Sequence, residues 1–191
     1  PKSLSNTLYQ DIISMVAKKN VKVIVDATSN LLLNTLKYNP FLIKPNIHEL
    51  EEIFDTKIDC IDSTIFYATK LKDMGAENVL ISMGKDGALL IDSKGKIYLS
   101  NAPYGDVINT VGSGDSMVAG FISGYLKTKD YKEALKLGAS CGSATAFSSG
   151  IGEKKLIDTL KNEIYEYLVS EYKSNTLKNE IEIKEICKIN M

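Results

Sequence analysis

Eight residues, Asn109 to Ser116, read NTVGSGDS and run directly into MVAGFISGYL, a stretch with the apolar spacing of a helix. Two glycines and a serine ahead of a helix leave backbone N–H groups unpaired and pointing outward, beside the positive end of the helix dipole. That combination attracts an anion. Asp115 falls where these donors converge, so a hydroxyl held between its carboxylate and a phosphate can lose its proton to Asp115. The N–H groups of 112–115 would then hold the phosphoryl oxygens, which is an arrangement for phosphoryl transfer. The same letters also fit a tight turn made by Gly112 and Gly114, with Asp115 as a helix cap and no ligand.

Three further clusters bear on this reading. In KPNIHEL, Asn46 and Glu49 are three apart at the start of a helix and share a face, where an amide oxygen and a carboxylate can hold hydrated magnesium beside phosphates. Lys44 adds a point charge for those phosphates. A capping box between Asn46 and Glu49 explains the same pair and does not exclude the metal. His48, the single histidine, stands on an exposed first turn and is read as facing solvent rather than as a base. In SMGKDGAL, Ser82, Gly84 and Gly87 permit close backbone approach at a strand end, as a nucleotide needs, although a hairpin entrance uses glycine too. In CGSATAFSSGIG, the small residues Gly142, Ser143 and Ala144 allow a helix to lie against a flat ring or against another helix.

These clusters need elements to position them. Ser5 or Asn6 can cap a helix with Leu8, Ile12 and Val16 on one face, and KVIVD then reads as a buried parallel strand ending on Asp26. Thr28 or Ser29 caps LLLNTLKY, FLIK is a short strand stopped by Pro45, and IHELEEIF is a helix. Asp62 caps a helix through Lys72 that closes at Gly75, and NVLISMG is a strand. KDGALLID and KIYLS form a hairpin across SKG. After the Asp115 helix come helices at 131–148 and 154–172, and IEIKEIC closes as a strand. The alternation predicts one α/β domain over 1–191 with a mostly parallel sheet, whose strand ends carry the polar clusters along one edge.

Composition sets outer limits. With 191 residues, 44% hydrophobic, one sizeable core is expected. A net charge of −1 leaves no basic surplus for nucleic acid, so the expected partners are small molecules. Cys60, Cys141 and Cys187 are odd in number and far apart, which supports neither a disulfide framework nor a zinc site. No apolar run reaches the ~20 residues needed to span a bilayer, and the chain reads as cytoplasmic. A start at Pro1 rather than Met is expected of a piece of something longer.

Taken together, KPNIHELEEIF, SMGKDGALL, NTVGSGDSMVAGFISGYL and GSATAFSSG, in that order and spacing, resemble the ribokinase-like sugar kinases of the PfkB family along essentially the whole chain. The resemblance implies a three-layer α/β/α fold with a mainly parallel sheet. Asp115 would be the base, and Gly112, Ser113 and Gly114 the anion hole. Asn46 and Glu49 would organise Mg2+, and Lys44 would approach the phosphates of ATP. Ser82, Met83, Gly84, Lys85, Asp86, Gly87 and the region around Gly142 would form the nucleotide pocket. The implied acceptor is a small sugar phosphate, foremost fructose 1-phosphate, with tagatose 6-phosphate or a nucleoside as the alternative. Ser113 stands where the family usually has alanine, an exchange that a backbone anion hole tolerates. The family's N-terminal part, with its lid and most sugar contacts, has no counterpart here. A non-catalytic nucleotide-binding or assembly fragment is therefore the other class, and self-association or pairing with the missing part is expected.

Overall fold

The computed structural model describes residues 7–16, 19 and 21–171. They fall into two compact units: one holds the described residues up to Ile81 together with Ile91–Gly95 and Glu171, and the other holds Ser82–Leu90 and Lys96–Ser170.

The first unit begins with α1 (Leu8–Val16), β1 (Ile24–Val25), α2 (Ser29–Leu36) and β2 (Leu42–Ile43). It continues with α3 (Ile47–Phe54), α4 (Ile61–Asp73) and β3 (Val79–Ser82), the last residue of which opens the second unit. The strands run parallel in the order β1-β2-β3, with Ile24 opposite Leu42, Val25 opposite Ile43, and Ile43 opposite Val79. Pro45, which has no N–H to give, ends β2 two residues after Ile43. Leu32 and Leu36 of α2, Leu42, Ile43, Leu50, Leu71, Leu80 and Ile81 are fully buried, as expected of strands covered by helices. Where β3 begins, the Asn78 side chain donates to the Phe41 carbonyl at 2.6 Å.

Several local expectations are corrected here. The buried residue of α1 is Ile13, while Ile12 is exposed, so the apolar face is rotated by one position. Thr28 occupies the cap position of α2 without a side-chain bond, and the Ser29 hydroxyl instead donates to Glu52 at 2.9 Å. Cys60, not Asp62, caps α4, exchanging capping-box bonds with Ser63; Asp62 sits in the first turn, where its charge still suits the dipole. The proposed cap at Ser5 or Asn6 and the closing strand IEIKEIC lie outside the described residues.

The second unit contains β4 (Ala88–Ile91, up to Leu90), β5 (Lys96–Ser100), α5 (Ser113–Thr128), α6 (Tyr131–Ala146), α7 (Lys154–Lys161) and β6 (Glu166–Glu171, up to Ser170). Its strand order is β4-β5-β6. The predicted turn between β4 and β5 is present, closed by Gly95 N–H on the Asp92 carbonyl at 2.9 Å. The helix expected over 154–172 stops at Lys161 and gives way to β6. Asn101 explains the break: its Nδ2 donates to the Glu163 carbonyl at 3.0 Å and its Oδ1 accepts the Tyr165 N–H at 2.7 Å. Ile164, just ahead of β6, is buried, while Tyr165, Tyr167 and Leu168 are exposed. Among the described residues, no helix is long and apolar enough to cross a membrane.

Candidate active site

The turn at 109–116 is built by its own side chains. Asn109 Oδ1 accepts the Val111 N–H at 3.0 Å, and the Thr110 carbonyl accepts both the Ser113 N–H at 3.2 Å and the Ser113 hydroxyl at 2.8 Å. Gly112 then takes φ +80°, a left-handed conformation that glycine adopts without strain, and α5 starts as Ser116 N–H reaches the Gly112 carbonyl at 2.9 Å. The N–H groups of Gly112, Gly114 and Asp115 are left without a partner among the described residues. Ser113 departs from the expectation, since its N–H and its hydroxyl are both turned inward to Thr110. Asp115 is the third residue of α5, exposed, and makes no cap: the cap position belongs to Gly112.

The last turns of α6 carry this region. The Ala146 carbonyl accepts the N–H groups of Ile108 and Asn109 at 2.9 and 3.1 Å. Buried Thr145 donates to Ser116 Oγ at 2.8 Å and accepts the Gly152 N–H at 3.0 Å. At Gly142, an added Cβ would lie 3.2 Å from both Met117 Cβ and the Ser113 carbonyl, so the small residue seats α6 against the start of α5. Of the two uses open to Gly142, the geometry provides helix against helix.

Ser82 to Gly87 form a tight loop around a 3₁₀ turn at Gly84–Asp86. Met83 N–H donates to the Gly87 carbonyl at 2.9 Å, and Lys85 and Asp86 are exposed. Its two glycines differ in kind. Gly84, at φ +59°, faces open space, whereas a Cβ on Gly87 would come to 1.9 Å from the Ser100 carbonyl. Gly87 is therefore required by packing on β5, whereas Gly84 borders open space.

In the first unit, Lys44 is buried and pairs with Asp26 at 3.4 Å, joining the ends of β2 and β1. Asn46 Oδ1 accepts the Glu49 N–H and Glu49 Oε2 accepts the Asn46 N–H, both at 2.9 Å: the capping box is present. Glu49 Oε1 has no partner among the described residues. Among those residues no group of three or more His, Cys, Asp or Glu could hold a metal ion. A magnesium ion that keeps its waters and binds phosphates needs only one or two protein oxygens, so Glu49 Oε1 fits that use. His48 is exposed, with Nδ1 3.5 Å from Glu51 Oε2, a surface contact. The Ile58 N–H, at 3.0 Å, holds Glu51 below the usual carboxylate range, with Lys57 assisting.

Residues 1–158 match the family of pfkB carbohydrate kinases. The 1-phosphofructokinase of Bacillus subtilis strain 168 is 41% identical over 164 residues, covering 86% of this chain and 54% of that protein. The D-tagatose-1-phosphate kinase of Bacillus licheniformis is 38% identical over 165 residues, with the same two coverages of 86% and 54%. Phosphofructokinase-2 from Escherichia coli, solved with substrates and products, is similar in structure at a TM-score of 0.78 and 25% identity, covering 84% of this chain and 53% of that one. The chain thus spans about half the length of the curated relatives it matches.

Proposed function

The chain belongs to the pfkB family of carbohydrate kinases, with a ribokinase-like α/β fold, and on that premise we propose that it carries the ATP-binding and catalytic part of a sugar-phosphate kinase. The reaction is transfer of the γ-phosphoryl of ATP to a hydroxyl of a phosphorylated ketose, foremost the 6-hydroxyl of fructose 1-phosphate. The O–P bond to ADP breaks, the new O–P bond forms at that hydroxyl, and the hydroxyl proton passes to Asp115. The products are ADP and fructose 1,6-bisphosphate.

One observation supports this above the others: three unpartnered N–H groups, of Gly112, Gly114 and Asp115, share the first turn of α5 with the free carboxylate of Asp115. Donors fixed by a turn need no reorganisation as charge builds on the phosphoryl oxygens. In a loose transition state the proton leaves late, so the placement of Asp115 counts for more than its basicity. Ser113 contributes by shaping the turn through Thr110. Magnesium would neutralise phosphate charge, held by Glu49 with Asn46 setting that carboxylate through the capping box. Lys44 would lend its charge to the phosphates, and Gly84 would admit the nucleotide. Gly142 serves by seating α6 below Ser113.

Tagatose phosphates are the alternative acceptors. The two relatives named for fructose and tagatose substrates match this chain almost equally, at 41% and 38% identity. Choice of sugar is therefore assigned to the half of those proteins that this chain does not span. We place the reaction in the cytoplasm, with no nucleic acid or membrane as partner. Asp115→Asn tests the reading, in the chain joined to the remaining half of its relatives' length. Turnover is expected to fall by roughly 10²–10⁴ with ATP binding retained, measured by coupled assay and calorimetry. Near-normal turnover would overturn the assignment of the base.

A further inference from the structure

Asp115 can position a proton only as well as the first turn of α5 is itself held, and nothing within that turn fixes its rotation. Its own bonds, Ser113 to Thr110 and Ser116 to Gly112, are internal. The outside anchor comes from α6, where the Thr145 side chain is 2% exposed and its hydroxyl is engaged in both directions. It donates to Ser116 Oγ at 2.8 Å and accepts the Gly152 N–H at 3.0 Å. Ser116 is the neighbour of Asp115. A buried hydroxyl whose donor and acceptor capacities are both used has one orientation, so it defines distances instead of merely filling space.

From this geometry we infer that Thr145 is a positioning residue for the phosphoryl-transfer turn: through Ser116 it fixes the rotation of the α5 first turn, and through Gly152 it couples that turn to the segment following α6. The inference rests on the reading of Asp115 as base. Two neighbouring contacts reinforce it. The Ala146 carbonyl anchors Ile108 and Asn109, the residues that lead into the turn, and Gly142 meets Ser113. Thr145 thus lies at the centre of three attachments from one helix end. A small displacement here moves a carboxylate whose usefulness depends on placement to within about 1 Å.

Thr145→Val keeps the shape and the β-branch and removes the hydroxyl. In the chain joined to the remaining half of its relatives' length, kcat is expected to fall roughly tenfold or more, with the KM for ATP within about twofold of the parent. Thr145→Ser, which restores the hydroxyl, is expected to recover most of the rate. Ser116→Ala, which leaves Thr145 its bond to Gly152, is expected to lower kcat in the same direction and guards against a failure of the valine variant to fold. An activity-independent readout accompanies these: amide hydrogen exchange should quicken at Ser116 and Gly152 in Thr145→Val and stay unchanged at Lys132, at the far end of α6. Parent-like kcat in Thr145→Val, while Asp115→Asn is inactive, would overturn the inference and leave the base assignment standing. A serine variant as impaired as valine, with both losses following melting temperature, would also overturn it. If Asp115→Asn remains active, the base reading fails, and unchanged exchange at Ser116 and Gly152 would then refute the positioning role separately.

Discussion

At Glu49 a helix cap and a proposed metal contact use different oxygens of one carboxylate. Oε2 receives the Asn46 N–H at 2.9 Å, and Oε1 is free among the described residues. Glu49→Gln keeps a carbonyl oxygen for the cap and removes the charge, so the two roles separate. Stability is expected to change by no more than ~0.5 kcal/mol, while kinase activity of the completed chain drops and partly recovers at high magnesium. Unchanged magnesium dependence would assign Glu49 to capping alone. Residue types at 46 and 49 were enough to read the capping box, because it has a fixed spacing. They could not say which oxygen stays free. Ser113 was harder still: the sequence offers its N–H to the anion, whereas the chain folds both of its donors onto Thr110. Such local competition is decided by backbone torsion, which letters do not carry.

Between α5 and α6 the contact runs through glycine. A Cβ on Gly138 would stand 2.9 Å from the Met117 carbonyl and 3.2 Å from Phe121 Cβ, and one on Gly120 would meet the Leu137 carbonyl and Cys141 Sγ at 2.7 Å. Gly138→Ala is accordingly expected to destabilise by about 1–3 kcal/mol, read from the midpoint of urea unfolding. Gly150→Ala, with nothing within 4 Å of its Cβ, is expected to stay near the parent. Both helices were legible from their apolar period; the cap of α6, Asp130 accepting the Lys132 N–H, comes from the structure. The face on which they meet was not, because a glycine in a helix reads equally as weakness or as contact. β6 escaped for a different reason. Its break from α7 depends on Asn101, more than 60 residues away, and no window of sequence contains both.

For the molecule as a whole, the exposed apolar side chains bear on its behaviour in solution. Ile12, Met15 and Val21 are exposed in the first unit, and Tyr104, Val107, Ile108, Val111 and Ile151 in the second. Exposure of this kind favours association. The 191-residue chain expressed by itself is expected to form dimers or larger species and to show no kinase turnover, with at most weak ATP binding. Light scattering that finds a stable monomer, or an assay that finds turnover on fructose 1-phosphate, would show the chain to be self-sufficient. We propose that residues 1–191 act as one α/β domain despite their two compact units, because the chain passes between those units at 81/82, 90/91, 95/96 and 170/171. The threading has a consequence for anyone shortening the gene. A stop codon after Ile81 would deprive the first unit of its 91–95 segment, and a start at Ser82 would carry that segment away with the second. Neither unit can be obtained whole by a single truncation, and on the ribosome the first cannot be completed until the β4 strand of the second has been made.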